Sequence, residues 1–351
     1  MIKSNQQRPA SVEDILETGL MNQWYLVARD NEVGTTPVPL KRLNRDIVLW
    51  RDAEGKVNCL EDFCPHRGVR LSLGHVCDGH ITCAYHGLQY DGEGTLKATP
   101  PTPDSPLLGK KLANAYPCRE KHGAIWVYFS DGLSDAPAPE PEFPDEFNTG
   151  EWSGFADIRE FDCNYQFVRD NQLDPVHGSF LHAGTHALAW GRKDADMGYE
   201  KTERGFVVWR KNQFGVNLDR TEVVRCAGTG CWAVTDLPYP KSEGGAFGMV
   251  RLFRYPTPID RENTLVWNYR LQKLSGWRLD LWRFLYKNRV YLRGAEVLEQ
   301  DRVALSGVST EVFKRENLLQ CDIGVARIRR LYREEAERQF KAYSTPAAAA
   351  E

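Results

Sequence analysis

Cysteine and histidine occur together twice within a short stretch, as Cys64-Pro65-His66 and as Cys83-Ala84-Tyr85-His86. No other feature constrains the fold as strongly, because side chains from two separate segments have to meet at one point. Together they supply two thiolates and two imidazoles, one of each per segment. A [2Fe–2S] centre with mixed ligands takes that set, two Cys on one iron and two His on the other. Neutral imidazoles lower the negative charge of such a centre and raise its reduction potential, so a one-electron relay is expected.

Duller readings fit less well. Structural zinc also takes two Cys and two His, but usually as a Cys pair followed by a His pair. Cys59 and Cys64 make the first gap of a plant-type ferredoxin, yet Arg67 stands where its next ligand belongs. Scattered core cysteines are the plainest alternative, since free Cys is often simply buried. The surroundings favour a Rieske centre held by Cys64, His66, Cys83 and His86. Strand-like runs at Asp46 to Trp50 and Lys56 to Leu60 lead into the first segment. Gly68, Gly74, Gly79 and Gly87 let backbone approach a cofactor. Tyr90-Asp91-Gly92-Glu93-Gly94 reads as a hairpin turn, and Cys77 as a structural residue.

At 351 residues the chain is long enough for two domains. A formal charge of −3 gives no reason to expect nucleic acid as a partner. Arg327, Arg329, Arg330 and Arg333, followed by Glu334, Glu335 and Glu337, read as a solvated helix face. The sequence shows no membrane-length apolar run and no apolar signal core at its polar N-terminus. Nine cysteines, several assigned to metal, fit a reducing cytoplasm. Ser11 with Asp14 marks the start of a short helix carrying Ile15, Leu16 and Leu20. Thr99 to Pro106 is a proline-rich loop, and Asp135 to Pro144 a stiff connection. The predicted division is an N-terminal arm over 1–21, a cluster domain over 22–134, a linker over 135–150, a second domain over 151–345 and a frayed tail over 346–351.

The second domain opens with the densest polar cluster of the chain, from Arg169 to His186. His177, His182 and His186 with Asp170 and Asp174 are too many for a bland amphipathic helix, and they point to a metal. Spacing does not choose the pair. His182 and His186 stand at i and i+4 on one helical face, whereas His177 and His182 lie about 140° apart on an ideal helix. The latter two converge only if the helix ends or distorts between them, for which Gly178 offers latitude.

Cys-Pro-His and Cys-x-x-His, followed by Asn171-x-x-Asp174-x-x-His177-x-x-x-x-His182, resemble the terminal oxygenases of the Rieske non-haem iron family. Both motifs stand in the order and separation of that family, over nearly the whole chain. The resemblance implies an α+β protein: an N-terminal all-β Rieske domain, then a catalytic domain of antiparallel sheet and helices, helix-grip-like. It implies that His177 and His182 hold a mononuclear iron, that Asp174 precedes them as an electron bridge, and that Asn171 shapes the site. His186 has no required role. A facial iron site needs a carboxylate as well. Asp301 matches the family position best, with Glu296 and Glu299 as alternatives. Many relatives carry tryptophan after the second His-Gly, where this chain has Leu88, a packing variation.

By the same resemblance, electrons reach the cluster singly from a separate NAD(P)H-dependent reductase or a ferredoxin, and O2 reacts beside a small cyclic substrate at Fe(II). No Gly-x-Gly-x-x-Gly fingerprint follows a strand, which leaves flavin and nicotinamide to the other component. Transfer between subunits implies a closed ring. The chain resembles the single-component trimeric class that includes phthalate dioxygenase and vanillate demethylase. Asp174 would bridge from His177 to His86 across subunits. Hydroxylation and demethylation are not separated. The competing readings are an electron-transfer protein without oxygenase activity and a zinc hydrolase. Phe206, Trp209, Phe214, Trp232, Phe247 and Phe253 are either pocket or core, and no carboxylate-binding arginine can be named.

Overall fold

The structure, a computed structural model, describes the chain except for residues 1–7, 134–135, 142–146, 148, 185–192, 195, 204, 212–220, 228–232, 238–249 and 345–351. Two compact units emerge, Met1–Glu142 with Arg338–Glu351, and Phe143–Glu337. The final helix therefore changes unit near its end, whereas the expected boundaries kept 151–345 in one domain.

In the first unit α1 (Val12–Thr18) begins at Ser11, whose Oγ accepts from the Asp14 backbone N–H at 3.1 Å. The reciprocal bond runs from Ala10 N–H to the Asp14 carboxylate rather than from Ser11. Ten strands follow: β1 (Gln23–Arg29), β2 (Val38–Arg42), β3 (Arg45–Arg51), β4 (Val57–Glu61), β5 (His75–Cys77), β6 (His80–Thr82), β7 (Gln89–Tyr90), β8 (Leu96–Ala98), β9 (Cys118–Lys121) and β10 (Ala124–Phe129). They form three antiparallel sheets, β1-β10-β9, β2-β3-β4 and β5-β6-β7-β8. The hairpin turn predicted after the second Cys/His segment joins β7 to β8, with Asp91 accepting from Thr95 N–H at 2.9 Å and Gly94 at φ 79°.

Val48, Trp50, Leu60, Leu71, Ile81, Tyr90 and Leu96 form one buried core that includes Cys64, Cys83 and Leu88. Each large apolar side chain buried there stabilises the unit by roughly 1.5–3 kcal/mol. The core thus fixes the bases of both Cys/His loops. Leu88 belongs to this packing, which accounts for its tolerance at that position.

The second unit is built on a seven-stranded antiparallel sheet of β11 (Ser153–Phe161), β12 (Met197–Lys201), β13 (Gly205–Arg210), β14 (Thr221–Ala227), β15 (Ala233–Leu237), β16 (Val250–Pro258) and β17 (Thr264–Gln272), in the order β11-β17-β16-β15-β14-β13-β12. Among the described residues five further α-helices are defined: α2 (Tyr165–Leu173), α3 (Gly178–Leu181), α4 (Gly276–Leu285), α5 (Tyr291–Leu305) and α6 (Ile323–Ser344). A π-helical turn over Tyr286–Val290 joins α4 to α5. Val266 of β17 packs against Phe167 and Val168 of α2, so its face of the sheet is the one beneath that helix.

Burial departs from simple patterning in three places. All nine residues of β17 are buried, so the strand hides Asn268, Arg270 and Gln272 as well. The buried side of α4 runs through Trp282 to Tyr286, while Trp277, Leu281 and Phe284 are exposed. Arg329 is not solvated with its neighbours. It pairs with Asp170 of α2 at 2.7 Å and with Glu316. Among the proposed pocket aromatics, Phe253 lies beside Tyr269, on the sheet face opposite Val266. Phe206 is buried near Tyr199 and Trp209 is half-buried; Phe214, Trp232 and Phe247 lie outside the described residues.

Candidate metal centres

The two Cys/His loops have the same backbone design. Cys64 N–H donates to Val69 O at 2.9 Å and Gly68 N–H to Cys64 O at 2.9 Å. In the second loop Cys83 N–H donates to Leu88 O at 2.8 Å and Gly87 N–H to Cys83 O at 2.9 Å. Both glycines have positive φ, 77° and 71°, where a side chain would be strained. The sequence hides this repeat because the histidine stands two residues after the cysteine in one loop and three in the other. Asp62 ties the approach to the first loop, accepting from Ser72 N–H at 2.7 Å and from its hydroxyl at 2.6 Å.

Cys64 and Cys83 are each 2% exposed, whereas the imidazoles lie at the rim, with His66–His86 ring centroids 4.6 Å apart. Burial raises the Cys64 pKa, against the His66 backbone N–H and the Tyr90 hydroxyl, which favour its thiolate. The Tyr90 oxygen lies 3.6 Å from Cys64 Sγ, and burial followed by that contact pushes the phenol pKa up. His86 Nδ1 is buried with no hydrogen-bond partner among the described residues. Two buried thiols, two adjacent imidazoles and an orphaned ring nitrogen fit a cluster held by two sulfurs and two nitrogens.

The second centre depends on a broken helix. α2 ends at Leu173, Asp174-Pro175 interrupts it, and the short α3 follows, with His177 before its first residue and His182 after its last. This break lets two histidines five apart face one point. Gly178 is not the hinge, since it sits inside α3 and its φ is not positive.

His177, His182 and Asp301 bring one ligand atom each to within 4.8 Å of one another. His182 Nε2 lies 3.1 Å and His177 Nε2 3.5 Å from Asp301 Oδ1. The opposite ring nitrogens are both engaged: His177 Nδ1 donates to the Asp174 carbonyl, and His182 Nδ1 to Gln300 Oε1 at 2.8 Å. Both Nε2 atoms are thereby turned toward Asp301. Asn171 Nδ2 sits 3.2 Å from His177 Nε2 and donates to Asp301 Oδ1 at 3.2 Å. Asp301 is 1% exposed, and its Oδ2 has no hydrogen-bond partner among the described residues, with Arg254 Nη1 3.8 Å away. Glu296 is exposed and Glu299 pairs with Arg302 at 2.7 Å, so of the three acids only Asp301 joins the histidines. His186 lies outside the described residues.

Electrostatics support a cation at this point. Burial lowers the His177 pKa, but the hydrogen bonds to Asp174 and Asp301 outweigh it and push it up to about 10. Burial raises the Asp301 pKa, and the same histidines with Arg254 outweigh it, holding the carboxyl well below the usual range. Two imidazoles and a carboxylate, with acceptor atoms turned to a common point, fit a facial iron site. Gln300 and Arg254 were missed in the sequence. Adjacency to Asp301 is the only signal for Gln300, and nothing local marks Arg254.

The loops and the helix-covered sheet define a cluster-bearing protein with a second metal domain. The comparisons agree: residues 23–117 match the Rieske [2Fe-2S] domain and residues 161–338 the Vanillate O-demethylase oxygenase C-terminal domain. The latter spans half of the chain, which belongs to the vanillate O-demethylase oxygenase family of Rieske proteins. The chain is 34% identical over 177 residues to the vanillate O-demethylase oxygenase subunit of Pseudomonas sp. (strain HR199 / DSM 7063), covering 50% of this chain and 47% of that one. The match thus spans about half the length of that relative. It is 25% identical over 348 residues to the 5,5'-dehydrodivanillate O-demethylase oxygenase subunit of Sphingobium sp. (strain NBRC 103272 / SYK-6), covering 91% of this chain and 76% of that one. The oxygenase in the reduced complex between oxygenase and ferredoxin in carbazole 1,9a-dioxygenase shares the fold, with TM-score 0.71, 21% identity, and coverage of 92% and 91%. No helix among the described residues is long and apolar enough to cross a membrane.

Proposed function

We propose that this chain is the terminal oxygenase of a multicomponent system. It would take electrons from a separate NAD(P)H-dependent reductase, directly or through a ferredoxin, and use O2 to hydroxylate or oxidatively demethylate a small cyclic, aromatic substrate. The observation that carries this reading is the convergence of His177, His182 and buried Asp301 in a chain that also bears two Cys/His loops. Cys64 and Cys83 would hold one iron of the cluster, His66 and His86 the other, and His177, His182 and Asp301 would hold Fe(II). When bound, these groups supply single electrons and the activation of O2.

The chain's own residues do the rest. The Asp174 carbonyl and Gln300 each fix one histidine tautomer, so that both Nε2 atoms serve as ligands. Asn171 holds the Asp301 carboxylate from the side and shapes the site. The Asp174 carboxylate accepts from Val176 N–H at 2.8 Å and remains about a quarter exposed, accessible to another subunit. In a head-to-tail trimer it would link His177 to His86 of the partner subunit. Cysteines given to metal rather than to disulfides would suit a reducing compartment such as the cytoplasm.

The test is Asp174→Ala, assayed with reductase, NAD(P)H and a methoxylated aromatic acid. The variant is expected to keep cluster and mononuclear iron while losing product formation coupled to electron uptake. Full coupled turnover would contradict the bridging role. Wild-type protein that cycles electrons but binds no mononuclear iron would be an electron carrier instead.

A further inference from the structure

The sheet face beneath α2 carries an unequal set of charges. Arg254 on β16 pairs in register with Asn268 on β17, and Arg270 follows two residues on, on the same face. Asp157, opposite Asn268 on β11, is turned to Arg159 at 3.7 Å, and Arg159 also meets Glu299 at 3.6 Å. Arg254 has Asp301. That leaves Arg270, 6% exposed, with no ion pair to a carboxylate and with its Nε unpartnered among the described residues. Its neighbours are the Tyr286 ring, 5.3 Å from the guanidinium carbon, and Gly294 of α5. A Cβ built on Gly294 would stand 2.4 Å from Arg270 Nη1, so the helix omits a side chain where the guanidinium lies.

A buried guanidinium without an anion is costly, and such a group calls for a partner. Two orphaned donors mark where that partner sits: Arg270 Nε and Asn268 Nδ2 are both buried without a hydrogen-bond acceptor among the described residues. They stand at i and i+2 on one strand face, neighbours whose side chains both offer N–H donors on the same side of the sheet. Gly294 and Asp301 are seven residues apart on α5, two turns along one face and roughly 10 Å by the helix rise. An anion at Arg270 therefore lies roughly 10 Å along α5 from the Asp301 end of the triad.

We propose that Arg270, with Asn268 beside it, binds the carboxylate of an aromatic-acid substrate whose opposite end meets His177, His182 and Asp301. Phe155, opposite Arg270 on β11 and 4.4 Å from Tyr286 by ring centroids, sets a second aromatic ring beside Tyr286. Arg254 is already engaged by Asp301 and Asn171, and serves to hold the site rather than the substrate. The inference rests on the oxygenase reading, whose substrate class it names.

The experiment is equilibrium binding of benzoate and of neutral benzamide to iron-loaded protein by calorimetry, with iron content and the cluster spectrum measured on the same samples. Wild type is expected to bind benzoate in preference to benzamide. Arg270→Met should weaken benzoate by at least about tenfold and leave benzamide unchanged. Arg270→Lys should recover part of the loss. Gly294→Ala, which favours the helix but displaces the guanidinium, should weaken benzoate without touching the metal ligands. Equal affinity of wild type for both probes, or benzoate binding unchanged in both Arg270→Met and Gly294→Ala, would overturn the assignment. Wild type that loads mononuclear iron and fails this test leaves the oxygenase reading standing. Failure to load that iron strikes the oxygenase reading itself.

Discussion

At the scale of single residues, each histidine of the triad is committed on one nitrogen and open on the other. With His177 Nδ1 on the Asp174 carbonyl and His182 Nδ1 on Gln300, the ring orientations are set before any cation arrives. A metal must still displace the proton that His177 holds with a pKa of about 10. Below that pH the proton competes, so apparent affinity for a divalent cation should rise with pH, by about tenfold per unit between pH 6 and 8. Competition titrations with Co2+ at several pH values measure this; a flat profile would mean the His177 proton is not displaced. At the cluster, the Tyr90 hydroxyl 3.6 Å from Cys64 Sγ stabilises charge on sulfur. Reduction adds negative charge, so Tyr90→Phe should lower the cluster potential, read by redox titration of its EPR signal. Residue identities pointed to Cys64, His66, Cys83 and His86 as the cluster's candidate ligands, because Cys and His paired twice have few other uses. They could not bring His177 and His182 to one point, since that depends on where a helix breaks.

The break itself is an event of elements. Pro175 ends α2 one residue after Asp174, and the chain re-enters a single helical turn between the two histidines. α2 is held in place by charge: Asp170, buried on it, accepts from Arg329 Nε of α6 at 2.7 Å. Removing that cation leaves a buried carboxylate short of a partner. Arg329→Met should therefore cost about 2–4 kcal/mol in urea unfolding and loosen iron binding with it. Equal stability would show that the pair does not anchor α2. Sequence charge patterning placed Arg329 on a solvated face because Asp170, its partner, lies 159 residues earlier. The same limit hid the polar face of β17. Polar residues at every second position suggest a side in water, whereas Asn268 and Arg270 are buried as fully as Leu271.

For the whole molecule, the order of parts was legible: a β-rich cluster unit, then a unit of antiparallel sheet and helices. The motifs are local in the first unit, where each Cys/His loop closes on itself. They are dispersed in the second, where the carboxylate arrives from a helix more than a hundred residues beyond the histidines. Glu296, Glu299 and Asp301 were equally acidic in the sequence, and only the turn of α5 separates an exposed acid, an ion-paired one and a buried one. The central claim is that one chain carries both a mixed-ligand cluster and a separate iron. Iron and acid-labile sulfide per chain, measured on iron-replete wild type and on Asp301→Ala with the reduced cluster EPR signal alongside, tests it most directly. The account predicts about three irons and two sulfides in wild type, falling to about two irons with sulfide and signal unchanged in the variant. A variant that keeps the third iron, or a wild type that never exceeds two, would contradict it.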